Sequence, residues 1–294
     1  MAQRPVGVDL DGRPASHAGL TRIRPRSMLF TLYGDYAYPE RRDVPLRGLV
    51  EAGEALGLSE VAVRSAVARL SREGWLLPRR NGARSRYGLS DGGRRLIEEG
   101  TRRIYRPRSG RWNGRWCLLT YTIPESRRSE RDRIRKQLAW LGFGGMGGGA
   151  FVSPRDAGSE ALALLERHGV HGFARVFSGA LEGPGEDADL VAQCWDLGAV
   201  ADRYQAFLDH YERIARRGAA AKRRGSLSDR DAFVTRFALT HDFRRFPFID
   251  PDLPAALLPP RWPGVRARRL FATLNALLRR GAFRFFDAIA RPDA

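Results

Sequence analysis

Cysteine is almost missing from these 294 residues: there are two, Cys117 and Cys194, each in an apolar stretch. No CxxC and no paired spacing accompanies them, which excludes a disulfide scaffold and a thiolate metal site and leaves free, buried thiols as the expectation. Long apolar runs are also lacking. No stretch of about 18 apolar residues is available to cross a bilayer and no apolar leader follows Met1, so the sequence reads as cytoplasmic, with no membrane partner. Negative charge is in deficit, with 51 Lys plus Arg against 33 Asp plus Glu and a formal net charge of +18. A polyanion is the natural partner of such a chain, nucleic acid first. GC-rich codons enrich arginine as well, so the placement of the charge must decide. What is abundant is hydrophobic residues, 43% of the chain. That excludes global disorder and suffices for two or three domains.

Residues 1–24 mix Pro, Gly, Asp, Arg and His without apolar periodicity, which predicts a flexible N-terminal arm. Residues 25–108 are patterned differently. Leu29, Leu32, Tyr33 and Tyr36 share one face of a predicted helix over Ser27–Tyr36, which Pro39 ends. A second helix is predicted from Pro45, suited to its first turn, to Leu56, with Gly57 as its cap. Gly48 and Gly53 lower its propensity, so packing must hold it. Ser59 caps a third helix whose dipole Glu60 complements, and Val63, Val67 and Leu70 face its core. Two strands, Trp75–Arg80 and Arg84–Leu89, then flank Asn81-Gly82, a dipeptide that tolerates the positive φ of a tight hairpin. Ser90 opens a further helix through Leu96 and Ile97, followed by a charged linker at Arg106-Pro107-Arg108.

Three helices and a hairpin make a winged helix-turn-helix order. In it the third helix offers side chains to base edges while the wing reaches phosphates. The DNA-binding residues expected on this basis are Ser59, Arg64, Ser65 and Arg69 on the helix and Arg79, Arg80, Arg84 and Arg86 on the wing. Arg64 has the geometry for a bidentate contact to guanine; the wing arginines neutralise backbone charge. The same arginines could instead solvate a protein-contact surface, but their crowding at a hairpin tip is repulsive unless a polyanion compensates.

Residues 109–185 alternate strand and helix. Trp116–Pro124 is β-prone; Ile134, Leu138 and Leu141 stripe a basic helix; Ala150–Pro154, Glu160–His168 and Phe173–Phe177 supply strand, helix and strand. A small ferredoxin-like α+β domain is predicted. Gly142, Gly144 and Gly147 formally match GxGxxG, but they follow a helix and lead into a strand, the reverse of a dinucleotide-binding turn, so a close-packed turn is expected. His168 and His171 straddle Gly169 and share no helix face, so no metal site is expected.

Residues 186–294 read as a mainly helical effector or dimerisation domain. Leu197, Val200, Tyr204, Phe207, Leu208, Tyr211 and Ile214 stripe a long helix, and polar Arg216–Gly225 separates it from one around Phe233 and Phe237. A Pro-rich crossing over Phe246–Gly264 precedes a last helix with Leu270, Leu274 and Leu277. Phe246, Phe248 and Trp262 either pin the crossing or line an acyl pocket. His241-Asp242 has no accompanying nucleophile, and adjacent residues do not face one another on a helix, so no catalytic residue is assigned.

The chain resembles the PaaX family of phenylacetate-degradation repressors. The resemblance is carried by Arg26-Ser-Met-Leu-Phe-Thr-Leu-Tyr-Gly-Asp-Tyr36, Ala62-Val-Arg-Ser-Ala-Val-Ala-Arg-Leu70, Trp140-Leu-Gly-Phe-Gly144, Phe246-Pro-Phe-Ile-Asp-Pro-Asp-Leu-Pro254 and Leu257-Leu-Pro-Pro-Arg-Trp-Pro-Gly264. It implies a homodimeric, non-enzymatic repressor on an inverted-repeat, double-stranded DNA operator, released by an aryl-CoA thioester of phenylacetyl-CoA type, with no cofactor and no metal. The family's central domain is similar to a CRISPR-adaptation nuclease with an aspartate closing its first strand. Tyr121-Thr122-Ile123 stands there instead, and a hydroxyl replaces a metal-holding carboxylate poorly. Arg244, Arg245, Lys222, Arg223 and Arg224 are candidate cations for CoA phosphates. The rival readings are a metal-dependent nuclease and an effector-independent DNA-binding protein.

Overall fold

The computed structural model describes residues 20–38, 42–81, 84–105, 111–183 and 186–291. The arm expected over 1–24 lies outside that set up to residue 19, as do Pro39, Gly82 of the expected turn and the Arg106-Pro107-Arg108 linker. Two compact units form, and neither is one continuous stretch. The first takes residues 1–106, 204–245 and 264–294, the second 107–203 and 246–263.

In the first unit, α1 (Pro25–Leu32) runs on as a π-helical turn, Tyr33–Ala37. Leu29, Leu32, Tyr33 and Tyr36 are all buried, as their spacing predicts. A two-residue strand, β1 (Val44–Pro45), precedes α2 (Leu46–Ala55), so Pro45 is the N-cap rather than a first-turn residue. Strand β1 was not expected, since two residues carry no period. The glycines of α2 serve close approach: a Cβ on Gly48 would lie 2.2 Å from the Ile289 carbonyl oxygen, and one on Gly53 2.4 Å from a Val63 methyl. Helix α3 (Glu60–Arg72) starts where expected, with Ser59 Oγ accepting the Ala62 N–H at 3.3 Å, and buries Val63, Val67 and Leu70. Strands β2 (Leu76–Asn81) and β3 (Arg84–Leu89) form an antiparallel hairpin whose last pair is Asn81 with Arg84, and β1 joins the far side of β3. Ser90 Oγ accepts the Gly93 N–H at 3.0 Å and opens α4 (Asp91–Tyr105).

Three C-terminal helices complete this unit from Tyr204 onward. The expected stripe of Tyr204, Phe207, Leu208 and Tyr211 is buried on α8, which spans Leu197–Arg223. Arg216–Arg223 is helical rather than a break. Its charges lie on a helix surface, and the chain leaves the helix at Gly225, where φ is +68°. In α9 (Asp229–Phe243) every residue from Ala232 to Phe243 is buried, so this helix has no solvent face beyond its first turn and sits in the centre of the unit. Phe243 stacks on Phe271 with centroids 4.1 Å apart and meets Phe207 edge-on. Helix α10 (Pro263–Ala290) buries Ala267, Phe271, Leu274, Leu278, Ala282 and Phe286. The expected stripe shares only Leu274 with this one; Leu270 and Leu277 are half-buried at its edge.

The second unit carries β4 (Trp116–Tyr121), α5 (Arg128–Leu141), β5 (Gly144–Gly147), β6 (Ala150–Ser153), α6 (Gly158–Arg167) and β7 (Ala174–Gly179). Their sheet is antiparallel throughout, in the order β5-β6-β4-β7. That is the ferredoxin-like β-α-β-β-α-β arrangement, around a core that includes Leu119, Ile134, Leu138, Leu164 and Leu165. The glycine-rich stretch is not simply a turn. Gly142, with φ +94°, ends α5, and Gly144–Gly147 forms an edge strand with a bulge. Glycine is required in that strand because a Cβ on Gly144 would lie 2.5 Å from the Trp195 ring. Short α7 (Asp187–Cys194) follows, with Asp187 accepting the Trp116 Nε1–H at 2.8 Å.

The Pro-rich crossing belongs to the second unit too. Phe248 packs on Trp140 at 4.7 Å, and the Arg155 guanidinium donates to the Asp252 carbonyl. Asp252 has φ +56°, and its N–H donates to buried Asp250 Oδ1 at 2.7 Å. One carboxylate thus satisfies the backbone of a left-handed neighbour, a conformation that aspartate tolerates better than most residues.

Candidate nucleic-acid interface

The buried stripe of α3 leaves Glu60, Val61, Arg64, Ser65, Ala68, Arg69 and Arg72 exposed on its other side. Among the expected residues, Ser59 is spent on the cap, while Arg64, Ser65 and Arg69 share the solvent face. Arg64 is held in place: its Nε donates to Glu60 Oε1 at 2.7 Å, one helical turn back. Such a contact occupies the inner nitrogen of the guanidinium and leaves the terminal pair for a bidentate acceptor. Glu60 was expected only to complement the dipole, and its grip on Arg64 is additional.

On the hairpin, Arg79 is exposed and lies 3.4 Å from Asp43. The side chains of Arg80 and Arg84 fall outside the described residues. Arg86 is directed elsewhere: it is half-buried and donates to the carbonyls of Asp43 and, at 3.1 Å, Ala290. A cation on the final carbonyls of α10 offsets the negative end of that helix dipole, so Arg86 ties the middle of the hairpin to the end of α10.

Behind α3 the unit holds a buried ion pair that sequence reading missed. Asp35, in the π-helical turn, accepts two hydrogen bonds from Arg236 of α9, at 2.8 and 3.1 Å, one from Thr240 at 3.0 Å, and one from the Tyr105 hydroxyl. Arg236 also donates to Asn275 Oδ1 at 3.3 Å, and its guanidinium lies 4.7 Å from the Tyr36 ring centroid and 5.2 Å from that of Phe283. Burial pushes the Tyr105 phenol up, and the Asp35 charge adds to the shift.

His241 and Asp242 are both buried and diverge. His241 Nδ1 lies 3.1 Å from Thr31 Oγ1, while Asp242 accepts from Tyr211 at 2.7 Å and from the Leu20 N–H at 2.6 Å. Burial, with Arg244 and Arg245 nearby, lowers the His241 pKa from 6.5 to about 3. The unfolded chain therefore binds the extra proton first, so this contribution to stability is full above pH 6.5 and is lost as the pH falls toward and through about 3. Denaturant titrations of wild type and His241→Asn should show their stability difference drifting against wild type by about 1.4 kcal/mol per pH unit below 6.5. Parallel curves from pH 7 to 4 would show that the imidazole is solvated.

The candidate phosphate-binding cations do not converge. Arg244 is half-buried and donates to Ser27, Arg245 donates to Thr21 at 2.7 Å, and Lys222, Arg223 and Arg224 are exposed around the end of α8. A cleft of about 950 Å³ in the second unit is lined by Trp112, Trp195 and Leu257–Pro260 rather than by Phe246, Phe248 or Trp262. Glu186, Asp187 and Asp196 also line it, and carboxylates repel the phosphates of a CoA. Cys117 is buried and Cys194 half-buried, and burial pushes the Cys194 thiol up to about 11, which leaves it unreactive near neutrality.

Three family domains match in order: "PaaX-like protein" over residues 24–93, "PaaX protein central Cas2-like domain" over 109–191 and "PaaX-like protein C-terminal domain" over 195–288. The transcriptional repressor PaaX of Escherichia coli strain K12 is 33% identical over 247 residues, which cover 83% of this chain and 77% of that protein. The chain belongs to the PaaX family. An uncharacterized protein from Mycobacterium tuberculosis shares the fold, with TM-score 0.59 at 23% identity over 89% of this chain and 98% of its own. In this PaaX-family member the Cas2-like domain ends β4 at Tyr121, and exposed Thr122 follows it. Nuclease chemistry would need a carboxylate at that place to hold a divalent metal, and the residue does not fit. Among the described residues no group of three or more His, Cys, Asp or Glu is arranged for a metal, and no helix is long and apolar enough to cross a membrane. The curated relative is a repressor rather than an enzyme, in line with the expected regulator.

Proposed function

We propose that this protein is a cytoplasmic, DNA-binding transcriptional repressor whose α1–α3 and β2–β3 hairpin act as a winged helix-turn-helix. What carries the reading is the solvent face of α3, where Arg64, Ser65 and Arg69 lie opposite a buried Val63-Val67-Leu70 stripe, beside a hairpin with four arginines. Laid in the major groove, α3 offers Arg64 to guanine, and Ser65 and Arg69 to bases or phosphates. Ser59 holds the helix N-terminus against a phosphate. Arg79, Arg80 and Arg84 neutralise backbone charge, with Arg86 fixing the wing. A homodimer places two such helices on an inverted repeat, with half-sites spaced by helical turns.

Similarity to a named repressor extends the proposal to an aromatic-acid operon and to an aryl-CoA thioester, phenylacetyl-CoA first, as the releasing ligand. Release needs only that the ligand bind the weaker-gripping state more tightly. The test is fluorescence anisotropy on DNA from upstream of the gene against scrambled DNA, at two salt concentrations, with and without phenylacetyl-CoA. Salt-resistant preference abolished by the thioester is the expected result. Preference without a ligand response discards this effector, and absence of preference overturns the repressor.

A further inference from the structure

Val61 is 75% exposed on the first turn of α3. Nothing among the described residues of the unit accounts for a branched apolar side chain there: the core of the helix is served by Val63, Val67 and Leu70 on another face. A β-branched residue also restricts its own χ1 in a helix, so a solvated position would be better filled by Glu, Lys or Ala. Val61 shares its face with Arg64, Ser65 and Ala68, at i+3, i+4 and i+7. That face therefore combines a cation held by Glu60, a hydroxyl, a small residue that lets the backbone approach, and one projecting apolar group.

We infer that Val61 reads the 5-methyl group of a thymine in the major groove, on a base pair neighbouring the guanine that Arg64 contacts. The inference rests on α3 being the recognition helix. Among the four base pairs, only those containing thymine present an apolar group in that groove, and its partners are short apolar side chains. Three residues of helix advance about 4.5 Å against about 3.4 Å per base-pair step, which places the two contacts on adjacent pairs. Operator half-sites then carry a thymine beside the guanine, a requirement the arginines alone would not impose.

The test uses the full-length protein and needs no prior operator. A binding site is selected from random duplex DNA with wild type, and each thymine in a half-site is replaced in turn by deoxyuridine, which removes only the methyl group. One replacement, next to the guanine whose loss Arg64→Ala no longer senses, is expected to weaken wild-type binding about fourfold. Val61→Ala, a substitution at an exposed site checked by an unchanged melting temperature, should bind the thymine and deoxyuridine duplexes alike. If Val61→Ala keeps the full penalty at every thymine, the inference fails while the repressor reading stands. If selection yields no preferred site, that reading fails and the inference with it.

Discussion

Asp35→Ala is expected to lower the stability of the protein by about 3–5 kcal/mol, because it strands the Arg236 charge in the centre of the first unit. Both side chains are about 95% buried, at 5% and 4% relative exposure, so water cannot take over from the lost carboxylate. The substitution also removes the acceptor of Thr240 and Tyr105. Breaking the pair from one side therefore costs much more than the pair's net worth. Asp35→Leu combined with Arg236→Met should recover most of the loss, since two apolar groups leave no charge to compensate. Urea unfolding at constant slope measures both. A single-mutant loss below about 1 kcal/mol would show that the site is wetter than its burial indicates.

The pair matters to function through what it joins. Asp35 lies in the stretch matched by the first family domain and Arg236 in the third, yet they meet as a buried pair beside buried Tyr36, half-buried Asn275 and Phe283, and the Tyr105 hydroxyl. The segment that carries α1–α3 is packed on the C-terminal helices through α1 and α9 and shares their mechanical state. Any ligand that shifts α9 or α10 has a short covalent and electrostatic path to α1 and thence to α3.

Much of α3 was legible because its signals are local. Ser59 as cap, Glu60 in the first turn and the Val63-Val67-Leu70 period all reside within a dozen residues. The ferredoxin-like order was legible for the same reason, except β5, whose glycines carry no apolar alternation and are explained only by Trp195 pressing on Gly144. The Asp35–Arg236 pair spans 201 residues, and nothing near Asp35 names its partner. A weak signal did exist: an arginine in Phe233-Val-Thr-Arg236-Phe, within an otherwise apolar helix, is costly unless it is paired. Sequence proximity places Arg86 on the wing, and it could not show that its donors reach a carbonyl 204 residues away. Periodicity finds faces; it does not find what a face meets.

Arg64→Ala should reduce discrimination at one base pair of each half-site about 10- to 100-fold while leaving the fold intact, because Arg64 is exposed and its ion pair is with equally exposed Glu60. Competition binding with single-base variants of the selected site measures it. The contrast with Arg79→Ala is what gives the result meaning: there all sequences should weaken alike, and the slope of log K against log salt should fall by about one. Glu60→Gln separates position from charge. If the carboxylate's role is to hold the guanidinium, this variant should lose part of the discrimination and gain overall affinity, because it removes a negative charge from the face that meets DNA. Equal, sequence-independent losses for Arg64→Ala and Arg79→Ala would assign Arg64 to a phosphate and move base reading to another part of the protein.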